Sequence, residues 1–257
     1  MKKELSVLIV AHNEENIIRS CLSRLDFADE IVIILDNCTD ATEEISKSFT
    51  NKIYHGSWEI EGDRRNFGIS KCSSEWILEI DSDELVSKEL AIEILDMIEK
   101  NVHHTYFNIK VDNYIGSKLI KYGWGSTFGR GGVNCLFRKD AKIWGPQRVH
   151  PEIFFKGKAG PDLINTIEHR FVSNVSGLFL KFNQWTHLKA LDLIESKKIE
   201  NESLLKNVRR VFTRFLKNYH KRKGKKEGQI GFLIALFAGL FPLVSFIRAK
   251  IYQSGIK

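Results

Sequence analysis

Through roughly its first hundred residues the chain alternates two hydrophobic patterns: short, nearly unbroken apolar runs, and stretches where apolar residues recur at helical spacing. Leu5-Ser6-Val7-Leu8-Ile9-Val10-Ala11 is the first run, and such continuity marks a strand covered on both faces, as in a parallel sheet. It ends in His12-Asn13-Glu14-Glu15-Asn16, after which Ile17, Ile18, Cys21, Leu22 and Leu25 share one face of a helix. Glu30-Ile31-Val32-Ile33-Ile34-Leu35 predicts a second buried strand, closing on Asp36-Asn37-Cys38-Thr39-Asp40, and Thr39 or Asp40 caps a helix over 41–49. A short strand over 52–54 comes next, then a helix carrying Arg64, Arg65, Asn66, Phe67, Ile69 and Cys72. Trp76-Ile77-Leu78-Glu79-Ile80 reads as a further strand, and Leu85, Leu90, Ile94, Leu95 and Ile98 mark a further helix. This alternation with short connections predicts an α/β fold, a doubly wound sheet with right-handed crossovers.

Beyond residue 101 the alternation stops. Strands are predicted over 105–111, 114–122 and 133–137, around a loop rich in glycine that carries Trp124, Phe128 and Arg130 and reads as a sugar-covering lid or a surface hairpin. From Asn174 onward Leu178, Phe179, Phe182, Trp185, Leu188, Leu191 and Ile194 predict amphipathic helix. The expected organisation is therefore an α/β half over 1–101, a second half of the same domain over 102–173, and a helical extension over 174–257.

Charge refines the picture of that extension. Residues 203–226 hold ten Lys or Arg and no acid; without those ten, the net charge of +7 becomes −3. The positive charge is one local patch, which argues against a nucleic-acid-binding surface. After it, residues 230–247 carry no charge at all. Such a segment can lie in an anionic membrane surface, pack on the domain, or span a ~30 Å hydrocarbon core. Gly231, Gly239 and Pro242 interrupt it. The N-terminus leads straight into a strand pattern, with no cleavable signal peptide expected. Cys21, Cys38, Cys72 and Cys135 are scattered, and a reduced, cytosolic compartment is expected.

Candidate chemistry gathers where strands end. In an open α/β sheet ligands sit beyond the carboxyl ends of the strands. Glu14, Asp36 and Asp81 fall there. In Asp81-Ser82-Asp83 two carboxylates two residues apart can converge on one hard cation, Mg²⁺ or Mn²⁺, bridged to a diphosphate. The rival reading is a solvated turn before the helix that starts near Ser87. The chain has no G-x-x-x-x-G-K-[ST], and its first turn, Ala11-His12-Asn13-Glu14, lacks glycine, so a metal is needed to hold any diphosphate. His169, closing a strand-like run, is a candidate metal ligand or a structural histidine.

Four motifs in order, Val7 to Glu15, Glu30 to Thr42, Arg65-Asn66-x-Gly68 and Trp76 to Leu85, resemble the family 2 glycosyltransferases of the GT-A fold. The nearest likeness is to the branch serving lipopolysaccharide core and the cell envelope, with Leu136-Phe137-Arg138, Arg148-Val149-His150, His169 and the apolar C-terminal segment as looser matches. The resemblance implies a GT-A, Rossmann-like nucleotide-diphospho-sugar transferase fold with a C-terminal helical extension. It implies that Asp36 binds the base of a UDP-sugar donor, that His12, Asn13 and Glu14 line the base and ribose pocket, and that Arg65 lies along the nucleotide. Asp81 and Asp83 would hold metal and ribose-diphosphate. The catalytic base of an inverting transfer is expected at Val149-His150-Pro151-Glu152, where proline stands in the place of the usual glutamate; Glu152 is the first candidate, with Asp162 and Asp112 behind it. Arg138 and Arg148 would neutralise the departing diphosphate or grip an acidic acceptor. The implied enzyme passes a sugar to a glycan or glycolipid acceptor at the inner face of the cell membrane, peripherally bound to an anionic surface. A nucleotidyltransferase and a non-catalytic membrane adaptor are the rival classes.

Overall fold

The computed structural model describes residues 4–100, 103–127, 132–146 and 152–255. The first half alternates as the apolar runs predict: β1 (Leu5–Ala11), α1 (Ile18–Leu22), β2 (Glu30–Asp36), α2 (Thr42–Lys47), β3 (Ile53–Gly56), α3 (Glu61–Lys71), β4 (Trp76–Asp81), β5 (Glu84–Leu85) and α4 (Lys88–Lys100). Next come β6 (Tyr106–Ile115), β7 (Lys118–Leu119), β8 (Val133–Arg138), β9 (Lys142–Trp144), β10 (Ile153–Phe155) and β11 (Thr166–Val172). Helices α5 (Val175–Glu195), α6 (Leu204–Leu216) and α7 (Gly228–Gln253) close the chain. Among the described residues the main sheet orders as β3-β2-β1-β4-β8-β6-β11-β5, with β7 beside β6 and a separate β9-β10 pair.

Two compact units emerge: Met1–Val111 with Arg130–His169, and Asp112–Gly129 with Arg170–Lys257. In the first, β1 lies between β2 and β4 and runs parallel to both, while β8 is antiparallel to β4. Alternation along each strand feeds two cores. Val7, Ile9, Ile33, Leu35, Leu78 and Ile80 face one, with α1 and α4 over it; Leu8, Val10, Val32, Ile34 and Ile77 face the other, with Ile69 and Cys72 at the end of α3. Coverage on both faces is why these strands are nearly continuous apolar runs. Helix α3 sits close to the sheet: a Cβ on Gly68 would lie 2.7 Å from Leu8 Cδ1, so any larger residue forces the buried Leu8 side chain to shift. All four cysteines are free thiols.

The second unit is mostly helical. Ile115, Ile120, Phe171, Leu178, Ile234 and Phe237 form one core; Ala190, Ile199, Phe246 and Ala249 form another. Asn174 caps α5 by accepting from the Gly177 amide (3.0 Å), and Ser203 caps α6 by accepting from Lys206 (3.2 Å). Helix α7 packs against α5 and α6, and a Cβ on Gly239 would sit 2.6 Å from the Val211 carbonyl oxygen. By length and composition the Gly224–Gln253 segment can cross a membrane, with mean hydropathy 2.5, yet 44% of that apolar window is buried inside the protein. Exposed apolar side chains lie on α5, α6 and α7 alike; on α6, Leu204, Leu205, Val208, Phe212 and Leu216 are all at least 37% accessible.

Two expectations change here. The strands expected over 105–111 and 114–122 are one ten-residue strand, β6, followed by a turn at Gly116 and the short β7. Phe107, Ile109, Val111, Asn113 and Ile115 alternate inward without a break, so no boundary falls where one was placed. The 112–129 segment also groups with the C-terminal helices, because Ile115, Ile120 and Trp124 pack into their core.

Candidate active site

Register sets the site. Val10 pairs with Asp81 and Ala11 with Leu35, so Asp36 and Asp81 leave the sheet at nearly the same level on either side of β1. The turns after β1 and β2 start with Asn13 (φ 56°) and Asn37 (φ 49°), left-handed positions that asparagine tolerates. The two turns are laced together. Asn13 Oδ1 accepts from the Thr39 amide (2.7 Å), Thr42 Oγ1 from the Glu14 amide (2.7 Å) and Asp40 Oδ2 from the Glu15 amide (3.1 Å). His12 Nδ1 meets the Asp36 carbonyl oxygen. The N-cap of α2 is Ala41, without a side-chain cap, and neither Thr39 nor Asp40 takes that place; Asp40 accepts from the Thr42 amide at 3.0 Å from one residue further back.

Helix α3 grips both exits. Arg64 and Arg65 are consecutive, and therefore project about 100° apart around the helix. Arg64 Nη1 donates to Asp36 Oδ2 at 2.6 Å, and Arg65 Nη2 donates to Asp81 Oδ1 at 2.9 Å. Asp36 Oδ1 also takes the Trp58 amide (3.2 Å), yet a carboxylate offers about four lone-pair positions, so it can still accept from a base N–H. Arg64 Nε is buried and has no acceptor among the described residues.

Arg65, expected to lie along a nucleotide, is held by protein carboxylates. It is buried, with Nε donating to Glu61 (2.9 Å), Nη1 to Glu79 (2.8 Å) and its plane 4.9 Å from the Trp144 ring centroid. Glu79 also accepts from Lys142 Nζ (2.7 Å) and the Trp144 indole (3.3 Å). Burial pushes the Glu79 carboxyl up, but Lys142 and Arg65 overrule it and hold it below the usual range. Burial lowers Lys142 against the pull of Glu79. Through Arg65 the network holds the Asp81 side chain from behind.

Beyond Asp81 the charge turns negative. The Asp81 side chain is 46% exposed and Asp83 21%. Antiparallel pairing of β5 with β11 sets His169 opposite Glu84 and brings His169 Nε2 to 3.3 Å from Asp83 Oδ2. Burial and then the Asp81 charge push the buried Glu84 carboxyl up to about 8, although the Asp81 amide donates to it at 3.0 Å. Burial depresses His169, but Asp83 wins and raises it. Among the described residues no ready-made cluster of three or more His, Cys, Asp or Glu is set to hold a metal. The donor chemistry fits a hard divalent cation nonetheless: crowded carboxylates, two of them partly exposed, with an imidazole beside them. Asp81 and Asp83 would be its ligands.

Of the other expected residues, Arg138 falls elsewhere. Arg138 pairs with Glu75, donates to the His104 carbonyl and stands 4.5 Å over Trp76. Because β8 runs antiparallel to β4, Arg138 is level with Trp76, about 16 Å from the Asp81 end at a strand rise of ~3.3 Å per residue. It therefore cannot neutralise a leaving group there. Glu152 is exposed just before β10, its carbonyl accepting from the Gly145 amide at 2.8 Å. Asp162 is exposed and Asp112 half-buried. Phe128, Arg130, Arg148, Val149, His150 and Pro151 lie outside the described residues. Arg64, Glu79, Glu84, Lys142 and Trp144 were missed by sequence reasoning. For Glu79 a signal existed: a charge inside the run Trp76-Ile77-Leu78-Glu79-Ile80 demands a buried partner.

Comparison with known proteins follows the same residues. The family model described as "Glycosyl transferase family 2" matches residues 6–147, more than half of the chain. An uncharacterized glycosyltransferase of Rickettsia conorii is 30% identical over 100% of this chain and 93% of its own length. Lipopolysaccharide core biosynthesis glycosyltransferase LpsC of Rhizobium meliloti is 25% identical, covering 98% of this chain and 93% of that protein. The crystal structure of S. aureus TarS 1–349 in complex with UDP is similar at TM-score 0.49 and 16% identity, over 98% of this chain and 92% of that one.

Proposed function

The chain belongs to glycosyl transferase family 2, and from that premise we propose a metal-dependent, inverting enzyme that moves a sugar from a UDP-sugar to a lipid-linked or cell-envelope glycan. One observation carries the reading: the strand-exit carboxylates Asp36 and Asp81 are each held from α3 by one of two adjacent arginines. Asp36 receives the base, with His12, Asn13 and Glu14 lining the base and ribose. Asp81 and Asp83 hold Mg²⁺ or Mn²⁺, with His169 against Asp83 as an orienting or third group. When bound, the cation supplies positive charge for a departing diphosphate. The acceptor oxygen attacks the anomeric carbon opposite the phosphate, and the bond from that carbon to the phosphate oxygen breaks. The nucleoside diphosphate leaves with the electron pair, and Glu152 takes the hydroxyl proton.

The name of LpsC supports a lipopolysaccharide-core or related acceptor. We place the enzyme peripherally on the inner face of the cell membrane, seated through the apolar stripe of α6. Asp83→Ala is expected to cut nucleoside diphosphate release from a UDP-sugar by more than about a hundredfold while the unfolding midpoint holds. Near-normal turnover with added Mn²⁺ or Mg²⁺ removes the assigned role. Release of pyrophosphate from a nucleoside triphosphate and a sugar 1-phosphate, with no nucleoside diphosphate released from a UDP-sugar, would make the chain a nucleotidyltransferase, and absence of any thermal shift with UDP-sugars and metal would favour an adaptor.

A further inference from the structure

The second unit contains a cavity lined by none of the residues assigned to the transfer reaction. It has a volume of ≈ 490 Å³ and is lined by Trp124, Arg210, Arg214, Lys217, Asn218 and Arg222. A second cavity of ≈ 480 Å³ shares Arg222 and adds Lys221 and Lys223. Six cations thus wall two adjoining hollows, and among the described residues no acid lines either one.

The cations are unequally engaged. Arg210 donates to Glu202 Oε2 (2.5 Å) and Asn207 Oδ1 (3.2 Å), and among the described residues Arg222 reaches only the neutral Asn218 Oδ1 (3.3 Å). Arg214 is half-buried, and among the described residues neither it nor Lys217 has a protein carboxylate. Burial first, then Arg210 and Arg222, depress the Arg214 guanidinium, the mark of positive charge crowded without a counter-charge. Arginine forks match phosphate oxygens two at a time, whereas a single carboxylate would leave most of these donors unused.

We propose that this cavity binds a phosphate-bearing ligand, through Arg214, Lys217 and Arg222, with Arg210 at its edge. The site is independent of the donor site, so it stands or falls apart from the transferase reading. Its position on α6 separates two sources of phosphate. Leu204, Val208, Phe212 and Leu216 point one way around the helix, and Arg210, Arg214 and Lys217 point roughly half a turn away at 100° per residue. A bilayer resting on the apolar stripe therefore leaves the cavity facing away from it, which favours a phosphorylated saccharide over a lipid headgroup.

The test uses the full chain without nucleotide or divalent metal. In calorimetric titration, inorganic phosphate and glucose 6-phosphate should bind saturably and glucose should not. Arg214→Gln with Arg222→Gln should weaken phosphate by about tenfold or more, with Lys217→Gln showing a smaller loss in a chain less perturbed. Lys47→Gln with Lys88→Gln, the same charge change on the first unit, should bind phosphate as the unaltered chain does. Flotation with phosphatidylcholine vesicles, with and without phosphatidylglycerol, reads the source. Flotation retained by the Arg214/Arg222 variant supports the cavity with a soluble phosphate, and flotation lost supports it with a headgroup. No saturable phosphate binding by the folded chain, or equal weakening by the two charge pairs, overturns the proposal.

Discussion

The two places where this protein concentrates charge solve opposite problems. Behind Asp81, cations and carboxylates satisfy one another around a buried centre of Arg65, Lys142 and Glu79: Arg65 and Lys142 meet Glu61, Glu79 and Asp81 at 2.7–2.9 Å. Around Arg214, cations meet hardly any acid and stay open to solvent. The first arrangement is complete without a ligand and acts as a frame. The second leaves positive potential to be met from outside, so charge density alone does not mark a binding site; the balance of partners does.

Removing a charge should therefore act with opposite sign in the two places. The largest effect is expected at Glu79. In Glu79→Ala, Arg65 and Lys142 are left buried and facing each other, and breaking a buried pair costs about 3–5 kcal/mol. Urea unfolding measures this, with Lys217→Gln as comparator, expected within about 0.5 kcal/mol of the unaltered chain. A loss under about 1 kcal/mol for Glu79→Ala would show that the network is no frame and would dissolve the contrast.

Acid titration extends the comparison to another buried charge of the first unit. Glu30 accepts from Lys52, from the Ser6 hydroxyl, and from the Ser73 amide (2.7 Å) and hydroxyl (2.8 Å). Burial raises its carboxyl, but these donors prevail and bring it down to about 2 from 4.5. A carboxyl lowered in the folded state stabilises the fold above its unfolded value and loses that contribution as pH falls through the folded one. Here the contribution is on the order of 3 kcal/mol, complete above about pH 4.5 and lost toward pH 2. Unfolding midpoints of the unaltered chain and Glu30→Gln should converge over that interval. A gap unchanged from pH 7 to pH 3 would refute the assignment.

Much of the frame was readable in advance, and the reasons for the misses are physical. Strands β1, β2 and β4 are continuous apolar runs because both faces are covered, and their terminal acids therefore mark the ligand edge. Arg138 was misplaced because strand direction is not local: β8 looks like any strand until its antiparallel pairing with β4 puts Arg138 at the far end. The division of labour between Arg64 and Arg65 depends on helix rotation, which adjacency in sequence does not reveal. On α6 the cations drew notice as a block, while the apolar stripe at every fourth residue between them, Leu204, Val208, Phe212 and Leu216, emerges only once helix and exposure are seen together.

The smallest expected effect is the sharpest on sign. Arg210 and Arg214 are four apart on α6, and a like-charged pair at that spacing destabilises a helix by about 0.2–0.5 kcal/mol. Arg214 loses further to its own burial, and no carboxylate among the described residues repays it. Arg214→Gln should therefore raise the unfolding midpoint slightly in phosphate-free buffer at low salt, where the Glu79 variant lowers it. Salt at 1 M shortens the screening length to about 3 Å and should erase most of that gain. Phosphate at fixed ionic strength should reverse it, because only the chain with Arg214 intact gains from binding. A destabilised Arg214→Gln at every salt concentration would mean that the guanidinium is a structural partner like Arg65, and the two regions would then follow one rule.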